Sequence, residues 1–475
     1  MLKQIVIDTS VSLTRIGVLE EGKLVHLYIE DHEEETLQNC VLQGQVQQVV
    51  KNLKGAFIDF GKDKNGLLHF KNVPACYENK LQPGMRVPIQ IQKENTGEKG
   101  NRLTSLVSIP GYYLVALPFE PGIQISKKIK NNERREQLRT ILETVATDEL
   151  GFIVRTNGKE ASDEEILKEA TYLRDKTMQF HKVKGNVQKG TVLIEAEPIF
   201  FEVIKEHIQA IDEVVFLCNN LEIQEALQQK IEIFLPRLSV TYRFYPCYEN
   251  LFRLMSIEKD FLETLKRKVW LKNGGNIVID YTEAMTVIDV NSAKAIIGKQ
   301  AASAIRVLNK LAIEESIYQI IRRNLSGIIL IDLVDFKSKE DRLSVYEWAR
   351  QFISGLDGSR SKVYPPTELD LLQIARTKKY LPIHQKLLEK ENEYTCQYTI
   401  PQVSFNYFRL ENELKQIVAT TEMKQVYIYC SKSFYECLSK HTFINKLQMT
   451  YGIHIQLYQN ENQKQTDFDI RFHKQ

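Results

Sequence analysis

The chain has 475 residues, 43% of them hydrophobic and 26% charged, with a formal net charge of +2 at pH 7. This is the balance of an ordinary soluble protein of several domains, and it excludes bulk charge as a source of nucleic-acid affinity, which has to come from local basic patches. No apolar run approaches the ~20 residues of a bilayer helix, MLKQIVIDTS is too short for a signal-peptide core, and the seven cysteines are scattered without a C-x-x-C pair, so the sequence predicts reduced thiols in a cytoplasmic protein with no membrane partner.

Residues 1–35 alternate like a hairpin, with Glu20–Gly22 as the turn. Between 36 and 108 come five short strands, CVLQGQVQQVV, GAFIDFGK, GLLHF, MRVPIQIQK and RLTSLVSI, whose spacing predicts an OB-fold barrel. Phe57, Phe60 and Phe70 offer flat faces there, with Lys51, Lys54, Lys62, Lys64, Lys93 and Lys99 around them. Aromatics that stack bases and lysines that follow the backbone hold single-stranded nucleic acid in such barrels. The competing reading puts the phenylalanines in the core, and it is favoured for Phe60.

Residues 109–200 read as a mixed module: a strand (GYYLVALP), a basic segment entering a helix (ISKKIKNNERREQLR) and a second strand (GFIVRTNG). The next helix opens on Ser162-Asp163-Glu164-Glu165, a capping-box pattern. Arg155 and Thr156 stand together at the end of the second strand, where a guanidinium and a hydroxyl can clasp a phosphate. Taken alone, such a surface pair is more often merely solvated. Residues 201–270 predict helices and at least one strand without a catalytic constellation, and Lys266-Arg267-Lys268 reads as a solvated face.

The stretch from Asn276 to Phe336 carries the chemistry. Its two apolar segments, Met285–Val290 and Ile328–Val334, each hold an aspartate, Asp289 and Asp332, where a buried strand should hold only aliphatic side chains. Between them Ile305, Leu308, Ala312, Ile313, Ile317, Ile320 and Ile321 form one helical stripe, closed by Arg322 and Arg323. A strand–helix–strand unit would aim both carboxylates at a common edge. Two carboxylates with few competing ligands suit Mg²⁺, which keeps several waters and takes phosphate oxygens. Asn291 lies two residues beyond Asp289 and so shares its face, where an amide can orient a phosphate or a water. Asp335, an odd number of residues past Asp332, should face away if the strand continues. The competing reading makes these aspartates helix caps or turn closers. Arg376, Lys378 and Lys379 either line an RNA path or are ordinary helix surface.

LFRLMSIEKDFLETLKRKVWL, GGNIVIDYTEAMTVIDVNSA and RRNLSGIILIDLVDF resemble the catalytic core of the ribonuclease E/G family, and the resemblance extends over nearly the whole chain. It implies a short, Mg²⁺-dependent endoribonuclease that hydrolyses single-stranded RNA in RNA processing or turnover, with Asp289 and Asp332 on the metal and Asn291 as the supporting amide. It makes Phe57 a base-stacking aromatic, with Leu67 where the family has a second one, and Lys362 a phosphate contact. Val115, Lys127, Arg155 and Thr156 would form a pocket for a 5′-monophosphate, Lys127 replacing the usual arginine and losing its fork. The implied fold is multidomain α+β. An RNase-H-like subdomain (1–35 and 201–270) carries the inserted barrel (36–108) and a 5′-sensor module (109–200). A deoxyribonuclease-I-like catalytic domain (271–389), a linker (390–399) and a small α/β domain (400–475) follow. In the linker the family's C-P-x-C motif is replaced by ENEYTCQYTIPQVSF, with Cys396 alone. A homodimer or higher oligomer is then expected without the shared zinc, which takes two cysteines from each chain. The competing functional readings are a non-catalytic RNA-binding protein with a decayed nuclease core and a phosphoesterase acting on DNA.

Overall fold

The computed structural model describes the chain apart from residues 1, 35, 78–79, 94–100, 210–211, 293–300, 337, 393–394, 422–423, 441, 461–467 and 472–475. Lys99 lies outside the described residues. The fold is mixed α+β and divides into two compact units, Met1–Glu34 with Glu213–Gln224 and Val240–Gln475, and Glu35–Asp212 with Glu225–Ser239.

In the second of these units, strands Val41–Val50, Gly55–Asp59, Gly66–His69, Arg102–Thr104 and Arg86–Lys93 pair in that order, and the first pairs again with the last. That pairing closes a five-stranded barrel, as the OB-fold expectation requires. Leu42, Val46, Ile58, Phe60, Leu68, Val87, Ile89 and Leu103 fill it. Phe60 is therefore core. Beside the barrel is a four-stranded sheet, in the order Ile123–Ile125, Gly151–Val154, Leu114–Leu117 and Ile109–Pro110. The helix Asp163–Val183 starts with both halves of the predicted capping box, Ser162 and Glu165.

In the other unit, strands Leu13–Glu20 and Lys23–Asp31 form the predicted hairpin. Glu21 and Gly22 both have positive φ, 50° and 76°, the backbone of the tight turns that match strand twist. Leu2–Thr9 pairs with this hairpin on one side and runs parallel to Glu213–Cys218 on the other. At its centre the wholly buried Arg15 lies within 4.1–4.7 Å of the ring centroids of Phe252, Phe261 and Phe408 and pairs with Asp8 and Glu258.

The same unit holds a six-stranded sheet in the order Lys268–Trp270, Asn276–Tyr281, Met285–Asn291, Gly327–Asp332, Leu371–Arg376, Ser361–Tyr364. Ile277, Ile279, Ile288, Val290, Ile329, Ile331, Leu372 and Ile374 share a core with helices Ala301–Arg322 and Lys339–Asp357. All seven residues of the predicted helical stripe are buried there or beside it. In Met285–Asn291 and Gly327–Asp332 the opposite side chains are half-buried or exposed. This corrects the expectation that Asp289 and Asp332 sit in strands buried on both faces: among the described residues only one face of these strands is covered, and both aspartates belong to the other. Leu371–Arg376 is likewise a strand and not helix surface. Arg376 is buried against Asp357, Asn324 and the Leu325 carbonyl, so it belongs to the core and lines no RNA path.

The C-terminal part has helix Val403–Thr420 and a small sheet in which Gln425–Cys430 lies between His454–Gln459 and Phe468–Arg471. Helices Lys432–Lys440 and Phe443–Tyr451, where one was expected, pack on it. Among the described residues no helix is long and apolar enough to cross a membrane.

Candidate active site

The strands Met285–Asn291 and Gly327–Asp332 are parallel neighbours joined through the helix Ala301–Arg322. A parallel pair needs such a crossover, and the two strands then finish at the same edge. In their register Asp289 stands directly opposite Asp332, at the carboxyl ends of the strands, where open α/β sheets place their ligands. Both side chains are exposed, as is Asn291. Asn291 Nδ2 donates to Asp289 Oδ2 at 2.7 Å and fixes that carboxylate.

Partial burial raises the pKa of Asp332 above the usual carboxylate value, and the neighbouring charges of Asp289 and Asp335 add to it. Negative charge thus gathers around Asp332, which favours a cation beside it. The strand stops at Asp332, so the alternation that would have turned Asp335 away does not apply. Among the described residues no group of three or more His, Cys, Asp or Glu side chains is disposed to hold a metal ion. The two opposed aspartates nevertheless fit Mg²⁺, which needs one or two carboxylates and leaves its other positions to water and phosphate. A residue with no local sequence signal holds this edge in place. Asn309, wholly buried on the crossover helix, donates to the Val334 carbonyl at 2.7 Å and accepts from the Val334 N–H at 3.1 Å.

Lys362 is on the same open face but not at the carboxylate edge. It pairs with Ala375, which pairs with Ile328, four residues before Asp332. That is about 13 Å back along the strand at ordinary rise.

The phosphate-pocket candidates lie in the other unit. Strands Ile123–Ile125 and Gly151–Val154 are parallel, with Ile125 opposite Val154, so the Ser126-Lys127 and Arg155-Thr156 pairs leave their ends side by side. The Ser126 and Thr156 hydroxyls are 3.0 Å apart, and the Arg155 N–H donates to the Tyr113 carbonyl at 2.8 Å. Val115 pairs with Ile153, two residues before Arg155. Lys127 and Thr156 are exposed, while Arg155 and Val115 are half-buried. Two supports have no counterpart among the expectations. Arg135, from the basic segment, donates to the carbonyls of Ser126 and Ile129 and shapes the loop. Glu169, fully buried, accepts from the N–H groups of Tyr113 and Leu114.

On the barrel, Phe57 is half-buried and pairs with Leu67, and Leu67 pairs with Arg102, whose side chain is exposed. Arg102 thus extends the row of Phe57 and Leu67, a position the sequence did not single out.

The model of the ribonuclease E/G family matches residues 108–379, more than half of the chain. The chain belongs to the ribonuclease E/G family. It is 23% identical to ribonuclease G of Salmonella typhimurium, over 99% of both chains. To ribonuclease G of Escherichia coli K12 it is 25% identical, over 92% of both. To ribonuclease E of Buchnera aphidicola from Acyrthosiphon pisum it is 29% identical, over 79% of this chain and 43% of that one. The part matched by the ribonuclease E/G model includes both opposed aspartates, Asn291 and the Arg155-Thr156 pair.

Proposed function

We propose that this chain is a Mg²⁺-dependent endoribonuclease of the cytoplasm that hydrolyses phosphodiesters in single-stranded RNA, in RNA processing or turnover, and prefers RNA with a 5′-monophosphate. The observation that carries the reading is the register of Asp289 and Asp332, two carboxylates at one edge of a sheet in a ribonuclease-family chain. Asp289 and Asp332 would hold the cation. When bound, Mg²⁺ supplies Lewis-acid polarisation of the phosphoryl group and activation of water. One Nδ2 N–H of Asn291 donates to Asp289, which leaves the second to donate to a phosphate oxygen and the side-chain oxygen to accept from an attacking water. Asp335 adds negative charge near Asp332.

Arg155 and Thr156 would take a 5′-monophosphate as charge-assisted donors, with Lys127 adding a point charge and Val115 an apolar wall. Phe57, Lys99 and Lys362 would hold the strand, the first by stacking and the lysines by charge. Any self-association is expected to proceed without a shared zinc.

The test uses an A/U-rich RNA labelled at its 3′ end, with either a 5′-monophosphate or a 5′-hydroxyl. The chain and its Asp289→Asn variant are each incubated with it, in Mg²⁺ and in chelator. Internal cleavage that needs both metal and Asp289, and is faster on the monophosphorylated RNA, is the expected result. Cleavage indifferent to the 5′ end removes the role given to Arg155 and Thr156. Binding without cleavage replaces the nuclease by the RNA-binding reading.

A further inference from the structure

The open face that carries Asp289 and Asp332 continues to the edge strand Lys268–Trp270. Lys268 pairs with Val278, Val278 with Asp289, and Asp289 with Asp332, so a lysine and both carboxylates fall in one row across four strands. In the next row Trp270 pairs with Asn276, which pairs with Asn291. Directly paired residues share a face, and Val269 between them points into the core. Trp270 is 62% exposed, and the Lys268 ammonium lies 4.2 Å from its ring centroid. At ordinary strand spacing, Lys268 and Trp270 stand about 10 Å from Asp289 and Asn291.

Trp270 presents most of its ring to solvent on the face that carries the carboxylates, where an aromatic surface is available for stacking. The segment is also anchored. The buried Arg323 donates to the Glu263 and Lys266 carbonyls just ahead of it, and to the Tyr281 hydroxyl on the neighbouring strand. Lys266, Lys268 and Lys272 are all exposed around it. An exposed ring with the Lys268 ammonium against it, on a strand flanked by further exposed lysines, matches one nucleotide: the base stacks and the phosphate meets the lysine.

We propose that Trp270 and Lys268 form a nucleotide subsite on the catalytic face, in which Trp270 stacks a base of the RNA strand beside the scissile phosphate and Lys268 neutralises the adjoining phosphate. The inference rests on the nuclease reading above. It assigns Lys268 to RNA and makes both side chains positioning residues that act on where the strand lies.

The chain has two tryptophans, and the other, Trp348, is partly buried and stacked on Phe352. In the full-length Trp348→Phe, Asp289→Asn chain the emission therefore reports on Trp270. An unlabelled single-stranded oligoribonucleotide should quench it saturably, at the concentrations at which a dye-labelled copy of the same RNA binds. In the active chain Trp270→Ala should raise KM about ten-fold with kcat within about two-fold, equally for 5′-monophosphate and 5′-hydroxyl RNA, and Trp270→Phe should recover most of the loss. Bound RNA that leaves the emission unchanged overturns the subsite. So does an unchanged KM, and an unchanged KM together with a smaller sedimenting species in Trp270→Ala would give the face to a second copy of the chain. These failures leave cleavage by the parent chain untouched. Quenching in a chain that never cleaves would instead sink the nuclease reading and keep Trp270 as an RNA contact.

Discussion

At the scale of single residues, the carboxylate edge depends on a side chain that touches no substrate. Asn309 satisfies both the N–H and the C=O of Val334, between Asp332 and Asp335. Replacing it by leucine leaves two backbone groups unpaired next to a core, a loss of about 1–3 kcal/mol each where water cannot reach. The segment that carries Asp335 is then free to move. Asn309→Leu should lower kcat on single-stranded RNA by at least ten-fold while KM changes little, because no group proposed to bind RNA lies on the Leu333–Asp335 segment. A rise in KM with kcat unchanged would make Asn309 part of the binding surface. Lys127 poses a separate question. Exposed beside Arg155 and Thr156, it offers a phosphate one compact charge where arginine offers a planar fork. Lys127→Arg should raise the preference for 5′-monophosphorylated RNA several-fold and leave the rate on 5′-hydroxyl RNA as it was. Equal effects on both RNAs would show that Lys127 contacts the strand away from its end.

At the scale of elements, patterns that depend on neighbours in sequence could be read directly, and those set by tertiary cover could not. The hairpin turn at Glu21-Gly22, the barrel strands, the Ser162 capping box and the stripe on helix Ala301–Arg322 are local signals, and each appears where the sequence places it. The pairing of Asp289 with Asp332 was legible because a parallel pair needs a crossover helix and the stripe supplied one. The exposure of one sheet face was not, since an aliphatic run reads the same whether one or both faces are covered. Arg376 misled for the same reason, its buried partners Asp357 and Asn324 being far away in sequence. The side on which Asp335 falls was not legible, because a strand end cannot be read to the residue. Gly111 makes such tertiary cover testable. A Cβ there would collide with Glu169 Oε1, part of the carboxylate that anchors the start of the Val115 strand. Gly111→Ala should therefore displace that anchor, destabilise the unit by about 1–3 kcal/mol and erase the 5′-monophosphate preference, with cleavage of 5′-hydroxyl RNA retained. Preference surviving in a destabilised variant would detach Val115 from the pocket.

At the scale of the whole molecule, the two units carry buried groups whose protonation drives stability in opposite directions. His384 is stacked on Tyr281 at 3.8 Å and meets Tyr398 edge-on at 4.7 Å. Burial, and then the charge of Arg323, push its pKa down to about 3. The unfolded chain binds this proton near pH 6.5 and the folded chain does not, so the contribution is intact above that value and is lost as pH falls toward about 3. In the other unit burial pushes the Glu169 carboxyl up to about 7, with the N–H groups of Tyr113 and Leu114 opposing the rise. Here the folded chain holds the proton more tightly. The contribution is full below about pH 4.5 and is lost as pH rises through about 7. Each is worth at most a few kcal/mol, because a tenfold change in proton affinity corresponds to about 1.4 kcal/mol. Urea unfolding between pH 4 and 8 should therefore show His384→Phe losing part of the acid decline of the parent, and Glu169→Gln losing part of the decline from pH 4.5 to 7. Tyrosine and tryptophan emission with far-ultraviolet dichroism would follow the transitions. If both variants tilt the profile the same way, one of the two groups titrates in the folded chain as it does in water, and the packing assigned to it is wrong.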